Sequence, residues 1–125
     1  MTEQTPPEIQ AALEKFERLA EVYPVDYVPE MRRLLDETMV RFSPERAQFF
    51  GPNLPLAWSL EEKCRLLFSK YPSLSTSDRA LAVGAIRYFI VGMDAHSDQE
   101  PLHGLDDDLF IMNMVLEKLS LPTLT

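Results

Sequence analysis

The chain has 125 residues, of which 46% are hydrophobic, and a formal net charge of −8 at pH 7. A chain of this length and composition forms one globular domain, 1–125, that can bury a core without a metal or a disulfide. The acidic balance argues against nucleic acid as a partner, because surfaces that bind phosphate need clustered Lys and Arg.

Two further features of the sequence concern the compartment. Cys64 is the only cysteine, so no internal disulfide can form, which is typical of proteins in a reducing compartment. The N-terminus has neither the basic nor the apolar region of a secretory signal, and no apolar run reaches the ~20 residues that span a bilayer. We therefore expect a cytoplasmic protein without a membrane span.

Helical patterns fill the first part of the chain. The segment Thr-Pro-Pro-Glu at 5–8 has the spacing of a capping box, and apolar residues then recur at i, i+3 and i+4 until Pro24. A second amphipathic helix is predicted from Val28, and a short third one from Ser43 to just before Gly51. On the outer face of the second, opposite charges four residues apart predict three ion pairs: Arg32–Asp36, Arg33–Glu37 and Glu37–Arg41.

The apolar segment FFGPNLPLAW, at 49–58, is interrupted by prolines and is predicted to be irregular. The capping box Ser-Leu-Glu-Glu at 59–62 then predicts the start of a helix that ends before Pro72. The bulky side chains of 49–58 either cover one end of a bundle or form an exposed patch. In the second case Trp58 would anchor a partner.

The two most apolar segments lie in the C-terminal half, at 78–91 and 106–119. Helices that are apolar nearly all round are buried, so this pair predicts a helical hairpin at the centre of the fold. The expected architecture is all-α: a compact bundle of five or six helices around this hairpin, with an acidic connecting loop. A bundle of this size leaves part of the hairpin uncovered, and a homodimer or a partner helix would complete the cover.

The acidic segment, defined here as residues 94–108, supplies −6 of the net charge and both histidines, with no Lys or Arg. Such a surface attracts a basic partner from a distance. The first prediction is therefore a non-enzymatic interaction protein, an adaptor or a small inhibitor of a basic protein. The predicted contact residues are Asp94, Asp98, Glu100, Asp106, Asp107, Asp108 and Trp58.

A second interpretation of the same segment is a site for a divalent cation, with or without metal-dependent catalysis. Carboxylates suit Mg²⁺, Mn²⁺ or Ca²⁺, and histidines with carboxylates suit Zn²⁺ or Fe²⁺. The calcium-loop pattern is incomplete, because Gln99 and Leu105 stand where it needs Gly and Glu. The predicted ligands are Asp94, His96, Asp98, His103, Asp106 and Asp107.

A third interpretation is structural. Aspartates at 106–108 open the last helix, where free N–H groups and the helix dipole stabilise negative charge. A homodimer built on that helix would then be disrupted by Met112→Lys. No nucleophile elbow, phosphate loop or zinc-protease motif is present in the sequence, which makes an enzyme the less favoured class.

Residues 80–119 resemble the YkvA-like family of small helical bacterial proteins. The shared pattern is an apolar helix, an acidic loop with a proline and a glycine, and an Asp-Asp pair that opens the next helix. It is carried by Tyr88, Phe89, Ile90, Asp94, Asp98, Pro101, Gly104, Asp106 and Asp107. The resemblance implies a helical hairpin closed by an acidic loop, and it implies no particular activity.

Overall fold

Five α-helices contain most of the residues that the computed structural model describes, which are 7–42, 51, 53–95 and 105–124. They are α1 (Pro7–Leu19), α2 (Val28–Met39), α3 (Leu54–Lys70), α4 (Thr76–Asp94) and α5 (Asp106–Lys118). Short 3-10 turns cover Val25–Tyr27, Val40–Phe42 and Tyr71–Ser73, and no strand occurs in these ranges. The prediction of an all-α bundle is confirmed. Thr5 and Pro6 of the capping box at 5–8 lie outside the described residues, as does the short helix predicted after Ser43.

Helix α4 is the central element. Nine of its residues are buried, and it packs against each of the other four helices. Helix α5 lies beside it, as predicted for the hairpin, but buries only one face, which includes Ile111, Met112, Val115 and Leu116. The other face carries Phe110, whose side chain is 41% exposed. The bundle therefore leaves part of the hairpin uncovered.

Helices α1 and α4 approach each other closely at Gly84. A Cβ atom at this position would lie 2.6 Å from Cε1 of Phe16 and 3.0 Å from Cβ of Ala20. The absence of a side chain at Gly84 is therefore what allows the two helices to pack at this distance.

Helix α1 ends at Leu19, before the predicted stop at Pro24, because a buried tyrosine holds the following segment. The hydroxyl of Tyr71 donates to the Tyr23 carbonyl oxygen (2.5 Å) and accepts from the Tyr23 amide (3.1 Å). Two backbone groups that a helix would use are thus satisfied from outside it.

The predicted start of α3 at the capping box 59–62 is wrong. The helix begins at Leu54, and Pro55 stands in its first turn. Proline is compatible with that position, since first-turn N–H groups have no partner within the helix. Leu54 and Ala57 are buried, so burial of these side chains also favours the earlier start.

Helix α4 is longer than predicted at both ends. Ser75 caps its N-terminus by accepting from the Asp78 amide (3.2 Å), and the last helical residue is Asp94. The start of α5 is as predicted. Its C-terminus closes with Ser120 at φ 58° and a hydrogen bond from the Leu121 amide to the Leu116 carbonyl oxygen (2.8 Å). No helix in the described parts of the chain is both long and apolar enough to cross a membrane.

Candidate functional site

The described residues of the acidic segment lie where the C-terminus of α4 meets the N-terminus of α5. Asp94 ends α4, and three aspartates form the first turn of α5. A Cβ atom at Gly92 would be 3.4 Å from Oδ1 of Asp108, which shows how close the two helix ends are. The other predicted site residues of the segment lie outside the described residues: His96, Asp98, Glu100 and His103.

Asp94 stands at the C-terminus of a helix, where the dipole disfavours negative charge. Helix α2 and the turn after it offset this. The hydroxyl of buried Thr38 donates to Oδ1 of Asp94 (2.9 Å), and Nη2 of Arg41 donates to the Met93 carbonyl oxygen (2.5 Å). The guanidinium supplies the positive charge that this helix end favours, so Asp94 is held in place while its side chain remains exposed.

Asp107 is fixed by a residue of α4. The Tyr88 hydroxyl donates to Oδ2 of Asp107 (2.5 Å), and burial, followed by this hydrogen bond, raises the pKa of Tyr88. Nζ of Lys15, on α1, lies 5.2 Å from the centroid of the Tyr88 ring. Three helices thus meet around this carboxylate.

Asp108 points into the interior and is only 7% exposed. Burial, followed by the charge of the neighbouring Asp107, raises the pKa of its carboxyl group to about 8, while Lys15 acts in the opposite direction. Oδ1 of Asp108 is buried and has no hydrogen-bond partner among the residues described. At pH 7 most of the Asp108 side chains are therefore protonated.

The structure thus separates the three aspartates that the sequence pattern treats alike. Asp106 is exposed, Asp107 is partly buried and bound to Tyr88, and Asp108 lies in the core. The prediction that Asp108 faces a partner does not agree with its burial. The predicted role of Met112 in a homodimer contact does not agree with its burial either. Met112 is 1% exposed, so Met112→Lys would disturb the core rather than a dimer contact.

Trp58 lies on α3 and is partly buried. Its Nε1 donates to the Phe42 carbonyl oxygen (3.0 Å), and its ring lines a surface groove of about 400 Å³ together with exposed Val40. The guanidinium of Arg41 lies 4.8 Å from the Phe42 ring and also bonds to α4, which connects this groove to the end of α4. The proposed role of Trp58 as an anchor stays a prediction.

The described residues contain no group of three or more His, Cys, Asp or Glu side chains placed to hold a metal ion. The metal interpretation therefore depends on residues outside the described ranges. Cys64 is buried in α3, and burial raises the pKa of its thiol, which makes it a poor nucleophile. Asp108 has a shifted pKa but lines none of the surface grooves described here, so it lacks the access that a general acid needs.

Three residues of this site were missed by sequence reasoning: Lys15, Thr38 and Arg41. Each reaches the acidic segment from a distant part of the chain, and no local spacing marks such a contact. A polar residue such as Thr38 on the apolar face of α2 was the one available signal, since a buried hydroxyl needs a partner.

Comparisons with protein-family models, with curated proteins and with solved structures found no match for this chain. The resemblance of residues 80–119 to the YkvA-like family stays a prediction. The functional inference rests on the geometry and charge of the site.

Proposed function

We propose that this chain is a non-enzymatic interaction protein, an adaptor or a small inhibitor, that binds a basic protein partner through the acidic segment. The observation that carries the proposal is that residues 94–108 contain six carboxylates and no Lys or Arg. We further propose that binding takes place in the cytoplasm, as the single buried thiol suggests.

Three arginines of the described residues pair with carboxylates that lie outside the acidic segment. Arg33 pairs with two glutamates of its own helix, α2. Arg65 pairs with one carboxylate on α2 and one on α3, and Arg87 pairs with Glu21. Asp94 and Asp106 are both exposed and take part in none of these pairs. Because burial raises the pKa of Asp108, this residue adds little to the charge that the segment presents to a partner.

Fixed positions make this charge more useful for recognition. Asp94 is held by Thr38, and Asp107 by Tyr88, so these carboxylates lose little conformational freedom when a partner binds. Charge of one sign at one end of a molecule also steers a basic partner toward it and speeds association. Such steering weakens as salt rises, because the Debye length falls to about 3 Å at about 1 M.

The test is capture of partners from a cell lysate by the wild-type chain and by the double variant Asp94→Asn/Asp106→Asn. We expect a basic protein that is retained at low salt and released at about 1 M salt. The double variant should associate with this protein several-fold more slowly, measured with both purified. Asn keeps the acceptor oxygen for Thr38, so the fold should be preserved.

The matched control is Glu14→Gln/Glu62→Gln, which removes the same charge from exposed positions on α1 and α3. It should associate at a rate much closer to that of the wild type. If both double variants bind at the wild-type rate, and salt has no effect, the acidic segment does not bind the partner and the proposal is wrong.

A further inference from the structure

The exposed face of α5 forms a groove of about 450 Å³ that the acidic segment alone does not account for. Its lining residues recur at the spacing of one helix face: Asp106, Leu109, Phe110, Asn113, Met114 and Glu117. From the first to the last of them the face extends about 16 Å, or three helical turns.

The groove is apolar in the middle and acidic at both ends. Leu109, Phe110 and Met114 form the middle, and the Phe110 side chain is 41% exposed. The two charged residues that line it in the described structure, Asp106 and Glu117, are both negative and both exposed. The middle of the groove thus presents an exposed aromatic ring to solvent between two carboxylates.

The C-terminal segment shows which part of this face is already used. The side-chain amide of Asn113 donates to the Leu124 carbonyl oxygen (3.1 Å), and its Oδ1 accepts from the Leu124 amide (2.8 Å). These two bonds hold the segment along α5 and satisfy the polar group at the centre of the groove. What remains available for recognition is therefore apolar contact in the middle and negative charge at the ends.

We infer that this groove binds an amphipathic helix of the basic partner, with apolar residues facing Phe110 and a Lys or Arg near each acidic end. A helical occupant matches the periodicity of the face, because side-chain ridges of one helix fit the grooves of another. Met114 adapts its shape to different apolar side chains. The inference rests on the proposed function and adds the structural class of the partner and the place where it docks.

The test uses two fluorescent peptides of about 14 residues, made only of Leu and Lys. In the first, the Leu residues share one helix face; the second has the same composition in an order that scatters them. We expect the wild-type chain to bind the first peptide about tenfold more tightly at low salt, measured by fluorescence anisotropy, because only this peptide presents an apolar face to Phe110.

Two variants and their controls locate the contact. Phe110→Ser should weaken binding of the first peptide about five- to tenfold, since an exposed aromatic at the centre of an interface is the usual hot spot. The control is Val91→Ser on α4, which is also 41% exposed and should leave binding unchanged. Asp106→Asn/Glu117→Gln should make the affinity for the first peptide less dependent on salt. The control Glu14→Gln/Glu62→Gln, whose residues are also exposed, should change this dependence less.

The outcomes separate this inference from the proposed function. If both peptides bind equally, Phe110→Ser has no effect and Asp94→Asn/Asp106→Asn weakens binding, the groove is not the docking site, but the acidic interaction stands. If the wild-type chain binds neither peptide at low salt, the inference is wrong, and the lysate experiment with Asp94→Asn/Asp106→Asn decides the proposed function separately. Should Phe110→Ser fail to fold, the exposed pair Asp106→Asn/Glu117→Gln tests the groove in its place, and a salt dependence equal to that of the wild type would overturn the inference.

Discussion

Asp108 carries a carboxyl group almost completely inside the molecule, in contact with α4. A buried carboxylate is costly unless it is paired, and the pKa of about 8 means that the group takes up a proton instead of staying charged. Its acidic neighbours were indistinguishable from it in the sequence. Exposure of Asp106 and burial of Asp108 follow from the helical turn, which places residues two apart on different faces.

The first prediction concerns stability against pH. The folded pKa of Asp108, about 8, lies above the ~3.9 of an unfolded chain, so the folded state holds a proton that the unfolded state releases. The contribution of this proton to the free energy of unfolding is complete below about pH 4 and is lost as the pH rises through about 8. Between these values the free energy of unfolding falls by about 1.4 kcal/mol per pH unit. Asp108→Asn should remove it, giving a variant that is more stable than wild type at about pH 9.

Urea unfolding of both proteins between about pH 5 and about pH 9 measures this difference. The exposed Asp106→Asn variant is the control and should change with pH as the wild type does. If the free energy of unfolding changed with pH in the same way for Asp108→Asn and wild type, the prediction would be contradicted. Asp108 would then have similar pKa values in the folded and unfolded states.

Charged residues on α2 show what local spacing predicts and what it misses. The Arg33–Glu37 pair was predicted and is confirmed. The Arg32–Asp36 pair is wrong: Asp36 pairs with Arg65 of α3 (2.7 Å), and the Arg32 guanidinium lies 5.3 Å from the centroid of the Phe68 ring. Spacing along one helix takes no account of a neighbouring helix that offers better partners.

Among the elements, helix existence was predictable and helix ends were less so. The apolar periodicity of 3.6 residues marks α1 and α2, whereas α4 and α5 are marked by segments that are apolar nearly all round. The start of α3 was missed because proline both interrupts helices and occupies their first turn, and the burial of Leu54 and Ala57 favours the second role here.

The second prediction concerns the packing of α1 on α4. Gly84→Ala should destabilise the fold by about 1–2 kcal/mol, even though Ala is the better helix former by about 1 kcal/mol. The reason is that the new methyl group would lie 2.6 Å from the Phe16 ring, which is itself buried. Urea unfolding at constant pH measures the change.

Gly92→Ala in the same helix is the matched control. Its Cβ atom would lie 3.4 Å from Asp108, an ordinary contact distance, so only the gain in helix propensity should remain. This variant should therefore be as stable as the wild type or slightly more so. If Gly84→Ala behaved in the same way, the two helices would not be as closely packed as described.

At the scale of the whole molecule, charge is distributed unevenly. Most of the net charge of −8 comes from 15 residues out of 125, and the sequence alone was enough to find them. The sequence did not show that α2 and the turn after it contact both Asp94 of α4 and Trp58 of α3. These contacts are made by Thr38, Arg41 and Phe42 across long sequence separations. Nor did the sequence show which face of α5 stays uncovered.

The third prediction separates the interaction proposal from the metal alternative. We expect that Ca²⁺, Mg²⁺, Mn²⁺ and Zn²⁺ leave the melting temperature of the chain unchanged. A specific site occupied at about 100 times its Kd would stabilise the fold by about 2.7 kcal/mol, which shifts melting by several degrees.

Asp98→Asn and Glu14→Gln serve as the paired variants in this melting experiment. A rise in melting temperature with one ion, lost in Asp98→Asn and kept in Glu14→Gln, would establish a metal site in the acidic segment. The interaction proposal would then have to give way to the metal interpretation.

The position of Cys64 has a practical consequence. Its sulfur is enclosed by core side chains and its pKa is raised, so a thiol reagent can reach it only when the bundle opens. The rate of labelling by such a reagent would then report how often the interior becomes accessible. The chain thus contains a single native probe for its own opening, which requires no introduced label.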